Sequence, residues 1–97
     1  MFTATEKQIQ DWKKKYREVF ELTVEDKRCF LAKPNRQALS YAMTLASNNP
    51  IGMAEQMLED SWIDGDAEIK TEDAYFFGAM AQLGKFVEAK NSELKNL

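Results

Sequence analysis

Residues 18–34, EVFELTVEDKRCFLAKP, decide the fold, because here the apolar period drops from the helical value to two. Phe20, Leu22 and Val24 alternate with Val19, Glu21, Thr23 and Glu25, as a half-buried strand requires. Glu25-Asp26-Lys27-Arg28 is polar and reads as a turn, without the Asn-Gly pair of the tightest hairpins. Cys29 to Lys33 gives a second strand, with either Phe30 and Ala32 or Cys29 and Leu31 inward. Pro34 ends it, since proline has no N–H to donate and forces its predecessor to stay extended. A two-stranded hairpin is marginal in water, so this one must pack on helices or pair with another chain. Its unpaired edge is a place for a partner strand.

Working outward from the hairpin, Thr5 and Gln8 have the Thr-x-x-Gln form of a capping box. They predict a helix from Glu6 to about Arg17, preceded by a loose end, Met1 to Ala4. Its apolar residues are Ile9, Trp12 and Tyr16, a narrow stripe that fits a surface helix attached along one side. An extended start to the domain is the competing reading. After the hairpin, Asn35 can cap a helix over about Arg36–Ser47 with a broad apolar face of Ala38, Leu39, Ala42, Met43, Leu45 and Ala46. Asn49 and Pro50 then open a third helix carrying Ile51, Ala54, Met57, Leu58 and Trp62 to about Ile63. Asp64-Gly65-Asp66 reads as a turn, Ala67 to Lys70 as a short extended stretch, and Thr71 as the cap of a last helix running to about Glu93. The expected fold class is α+β: an N-terminal helix and a β-hairpin followed by three helices, one mainly helical domain over residues 1–97, with about 94–97 as a second loose end.

A chain of 97 residues has room for one core. At 44% hydrophobic it has the apolar content to fold. With 13 basic and 16 acidic residues it lacks the basic balance of a nucleic-acid binder, so nucleic acid is not an expected partner. It has no histidine, which excludes Ser-His triads and imidazole ligands, and its one cysteine excludes an internal disulfide. No apolar run is long enough to span a membrane. The start MFTATEKQIQ lacks a basic region followed by an apolar core, so it is not a signal peptide. The expectation is a cytoplasmic protein, not an enzyme, needing no cofactor and no metal.

Charge is unevenly placed. Lys13, Lys14, Lys15 and Arg17 form a basic run, whereas Asn49 to Phe76 holds eight acids against one base, Lys70. Solvated helix faces account for most such runs. The sharper hypothesis is weak homo-oligomerisation, the basic run of one copy meeting Glu55, Glu59 and Asp60 of the next head to tail. Three other constellations fail on chemistry. Aligned as an EF-hand loop, Asp60 to Thr71 places Trp62 and Thr71 where carboxylate ligands are needed. Cys29 has no base to activate it and fits a buried, inert thiol. The carboxylate pairs Glu59/Asp60, Asp64/Asp66 and Glu72/Asp73 lack an evident cleft. Ile51, Met53, Met57 and Trp62 form the candidate partner-binding face, because methionine-bearing surfaces repack around varied helices.

One resemblance runs through Tyr16 to Leu97. A strand hairpin enters Phe30-Leu-Ala-Lys-Pro-Asn-Arg36, and Ala54-Glu-Gln-Met-Leu-Glu-Asp60 leads into Ser61-Trp-Ile-Asp-Gly-Asp-Ala-Glu-Ile69 before a closing helix. This is similar to the small tail assembly chaperones of long-tailed bacteriophages and prophages. The resemblance implies a protein that binds the long, helical tape measure protein and keeps it soluble until tail tube subunits displace it. It implies no catalytic residues, and it leaves the basic helix before Tyr16 without a role. The alternative is a small non-enzymatic adaptor or regulator that binds a folded protein through its acidic window. A structural component that stays in the virion is a third reading.

Overall fold

The computed structural model describes residues 1–87 and 91–97. About half of the described chain is helical and 17% is strand, an α+β domain as expected. Helix α1 (Glu6–Lys15) precedes the hairpin β1 (Val19–Val24) and β2 (Lys27–Ala32). Then come α2 (Arg36–Met43), α3 (Pro50–Ser61), β3 (Trp62–Gly65), α4 (Glu68–Thr71) and α5 (Asp73–Leu83), closed by a 3-10 turn at Gly84–Val87.

The capping box forms: Thr5 accepts from the Gln8 N–H at 3.1 Å while the Gln8 side chain accepts from the Thr5 N–H at 2.9 Å. Asn35 and Asn49 cap α2 and α3 by accepting from Ala38 and Gly52 N–H groups. The hairpin loop is only two residues, with Val24 opposite Lys27. Glu25 supplies the positive φ, 52°, that so tight a loop demands.

The sheet has three strands rather than two. β3 runs antiparallel along the free edge of β2, giving the order β1-β2-β3. α3 therefore stops at Ser61, and Trp62 turns to extended backbone to begin the pairing. Leu31 faces Trp62 and Phe30 faces Asp64, so Ile63 is the extra residue of a β-bulge. The expected Asp64-Gly65-Asp66 turn is the end of this strand and its exit. Gly65 has φ 152° and lies so close to β2 that a Cβ would sit 2.4 Å from Cys29 Cα. Glycine here marks a close backbone approach, not a loop.

Other boundaries shift for local reasons. α2 ends at Met43 because Thr44 turns its hydroxyl back on the Tyr41 carbonyl at 2.6 Å, and the chain continues in three-residue turns to Asn49. Ala67 to Lys70 is not extended: Glu68–Thr71 is one helical turn that buries Ile69 completely. Thr71 does not cap α5, since its hydroxyl donates instead to the Ala67 carbonyl. The last helix ends at Leu83, where Gly84, the poorest helix former after proline, opens the 3-10 turn. Of its expected extension, residues 88–90 lie outside the described residues, and 91–97 are neither helix nor strand.

Both alternatives for the inward face of β2 hold at once. Cys29 and Leu31 join the core of Leu22, Ala54, Met57, Leu58, Ile69, Phe76, Ala79, Leu83 and Phe86. Phe30 lies on the opposite face, covered by the Trp12 ring at 5.1 Å and the Phe2 ring at 6.1 Å between centroids. The N-terminal segment is thus not loose at Phe2, whose ring packs and whose N–H donates to Asp66.

Gly65→Ala combines backbone strain with a clash against β2, and should lower stability by about 2 kcal/mol or more in urea unfolding. A change below about 0.5 kcal/mol would mean that β3 does not approach β2 this closely.

Candidate functional site

The sequence-predicted partner face does not survive as one surface. α3 turns Ala54, Met57, Leu58 and Ser61 into the core, and Met57 is 1% exposed. Met53 is half-buried against the same core, and Ile51, 43% exposed, flanks the buried stripe on its other side. Trp62 has left the helix for β3, and the Lys70 ammonium sits 4.3 Å from its ring centroid. A partner cannot touch all four side chains without unfolding α3.

The charged residues remain at the surface. Lys13, Lys14, Lys15 and Arg17 are exposed at and just beyond the C-terminal end of α1, where the helix dipole favours cations. Glu55, Glu59 and Asp60 are exposed on α3. Glu59 pairs with Lys70 at 3.8 Å and Asp60 accepts from Gln56 Nε2 at 2.9 Å, so part of this acidic face is answered within the chain. Such exposed pairs contribute little to stability.

A larger feature opens on the other side of α2. A groove of about 1080 Å³ runs between the start of β1, the end of β2, α2 and the 3-10 turn. Leu39, Met43, Phe86 and Val87 supply its apolar surface, and Arg17, Lys33 and Arg36 stand on its rim with one acid, Glu18. Its origin is local. α2 buries only Ala42, leaving Met43 50% exposed and Leu39 half-buried one turn before it. The sequence marked both as part of one broad apolar face without saying what covers it. Among the exposed large apolar residues of the chain, Met43 and Val87 meet in this groove. On the rim Lys33 pairs with Glu18 at 3.7 Å, both well exposed.

Two carboxylates act structurally. Asp66 Oδ2 accepts from the Phe2 N–H at 2.8 Å and from the Arg28 N–H at 2.9 Å. These bonds hold its carboxyl below the usual range. Asp26 accepts from the Tyr75 hydroxyl at 2.6 Å, which lowers the Asp26 carboxyl and pushes the phenol up to about 12. Arg28 Nε lies 2.9 Å from Glu21 Oε1 but its N–H does not point at that oxygen, leaving an ion pair without an aligned hydrogen bond. Cys29 is fully buried, and burial, assisted by the charge of Asp66, raises its thiol to about 12. It is a core side chain, not a nucleophile.

Among the described residues, no three or more Cys, Asp or Glu side chains group to hold a metal, and the Asp64-Gly65 segment is strand rather than loop. Among the same residues no helix is long and apolar enough to cross a membrane. Comparison with protein-family models, curated proteins and solved structures finds no match for this chain.

Asp66 and Asp26 have folded values below the ordinary 3.8, so their contribution to stability is present above that value and fades as pH falls through the folded values. Asp66→Ala should accelerate amide exchange at Phe2 and Arg28 and flatten the acid limb of the stability curve. Unchanged exchange at both amides would refute the clamp.

Proposed function

We propose that this protein is a tail assembly chaperone of a long-tailed bacteriophage or prophage, acting in the bacterial cytoplasm to bind the tape measure protein and keep it soluble until tube subunits displace it. The observation that carries the reading is the open apolar groove along α2. A helix that leaves Met43 half exposed and Leu39 only partly covered forgoes on the order of 1 kcal/mol of burial per side chain, which a client helix would recover on docking. Of the segments that carry the resemblance, Lys33-Pro34-Asn35-Arg36 lines the groove, whereas Trp62 to Gly65 forms an edge of the sheet away from it. Helix-in-groove recognition needs only such a stripe, with methionine adapting to varied side chains. The reading assigns no catalysis and no cofactor.

The competing reading is an adaptor that docks a folded protein on α3. Its support is the exposed Glu55, Glu59 and Asp60 around Ile51.

Co-expression with a phage tape measure protein separates the two. The chaperone reading predicts that the wild-type chain carries the long protein into the soluble fraction and that Met43→Asp lowers that fraction at least about tenfold. Circular dichroism of the variant should match the wild type, because Met43 is half exposed. If Met43→Asp solubilises the long protein as well as wild type, and a Glu55→Gln, Glu59→Gln, Asp60→Asn triple variant does not, the adaptor surface is the working one.

A further inference from the structure

The charge of the groove says more about its occupant than its shape does. The chain as a whole is acidic, with a formal net charge of −3, yet among the described residues that line the groove the cations Arg17, Lys33 and Arg36 outnumber the single acid Glu18. Arg17 comes from the segment between α1 and β1, Lys33 from the turn just past β2, and Arg36 from the first turn of α2 three residues later. The β1–β2 pairing, which sets Val19 opposite Ala32, brings Arg17 back to the Lys33-Pro34-Asn35-Arg36 turn. The positive end of the α2 dipole opens on the same rim. Of the basic run that starts at Lys13, Arg17 alone lines the groove. Leu39 and Met43, one helical turn apart on α2, line the groove together with Val87.

We infer that the groove takes an amphipathic helix with an apolar stripe toward Leu39, Met43 and Val87 and acidic residues on the flanks that meet Arg17, Lys33 and Arg36. This rests on the client-binding reading and narrows it to acidic helical segments of the client. A small molecule fits less well: at about 1080 Å³ the groove lies at the upper end of small-molecule pockets and is open along its length. A nucleic-acid strand needs exposed aromatic faces for stacking, and the one aromatic ring of the groove, Phe86, is buried.

The test uses fluorescence anisotropy with the full chain and three labelled probes. Two are synthetic helical peptides of about 18 residues, five turns, sharing one leucine stripe but flanked by Glu or by Lys. The third is a single-stranded oligonucleotide. The Glu-flanked peptide should bind about tenfold or more tighter than the Lys-flanked one at about 0.05 M salt, and the gap should narrow at about 0.5 M. Arg17→Glu combined with Arg36→Glu, both at exposed positions, should invert the preference, and Met43→Asp should weaken both peptides. Equal binding of the two peptides, a preference for Lys, or tighter binding of the oligonucleotide overturns the inference. If the Glu-flanked peptide fails while the chain still solubilises the long client, the groove assignment falls and the client reading stands. If both fail, both fall.

Discussion

Strand β2 has no solvent face, and the rest of the molecule is arranged around that constraint. Four consecutive residues, Cys29, Phe30, Leu31 and Ala32, are buried, so side chains on both sides of the pleat need cover. Cys29 and Leu31 are covered by the helices that follow the hairpin; Phe30 is covered by Trp12 and Phe2 from the chain that precedes it. Both backbone edges are also taken, one by β1 and one by β3. Asp66, just past β3, binds the N–H of Phe2 and the N–H of Arg28, and so ties the N-terminal cover to the central strand. The small domain thereby gains a second layer that a hairpin with one buried face would lack.

The same arrangement leaves α2 with little to do. α3 and α4 pack on β2, and α5 packs on β1 with Gly78 against Val24. α2 lies beside α3, and of its residues only Ala42 is sealed. The stripe of Leu39 and Met43 then projects past the core toward the 3-10 turn, whose Phe86 is held edge-on by Phe20 at 5.4 Å. A groove of this kind is a surplus of apolar surface that the fold does not consume. Its rim cations flank the hairpin, Arg17 before β1 and Lys33 and Arg36 after β2. The covered sheet and the open groove therefore follow from one packing arrangement.

Much of this was legible from residues alone, where the signal was local. The Thr5–Gln8 box, the Asn35 and Asn49 caps and the alternation of β1 all depend on neighbours a few residues apart. The elements misread are those fixed by distant partners. β3 is four residues long, and nothing in Trp62-Ile63-Asp64-Gly65 distinguishes a strand from a helix end and a turn until β2 lies beside it. The same holds for Phe2, whose place depends on Phe30 and Asp66, and for Met57, assigned to a partner surface although the sheet it faces buries it. The groove was hidden for the opposite reason. Leu39 and Met43 satisfy a helical period equally well whether a core or a client covers them, and only the fold tells which. Cys29 and Phe30 were undecided between two parities because a continuous apolar run fits both, and a doubly covered strand satisfies both.

The most direct test of the account is a pair of urea unfolding curves, for Phe30→Ala and Leu31→Ala. If β2 is covered on both faces, each truncation should cost about 2–5 kcal/mol, because each leaves a cavity in packed surroundings. A loss of that size at Leu31 with less than about 0.5 kcal/mol at Phe30 would show that one face of β2 is open to water. The N-terminal cover, the Asp66 clamp and the placement of Arg17 on the groove would then all have to be abandoned.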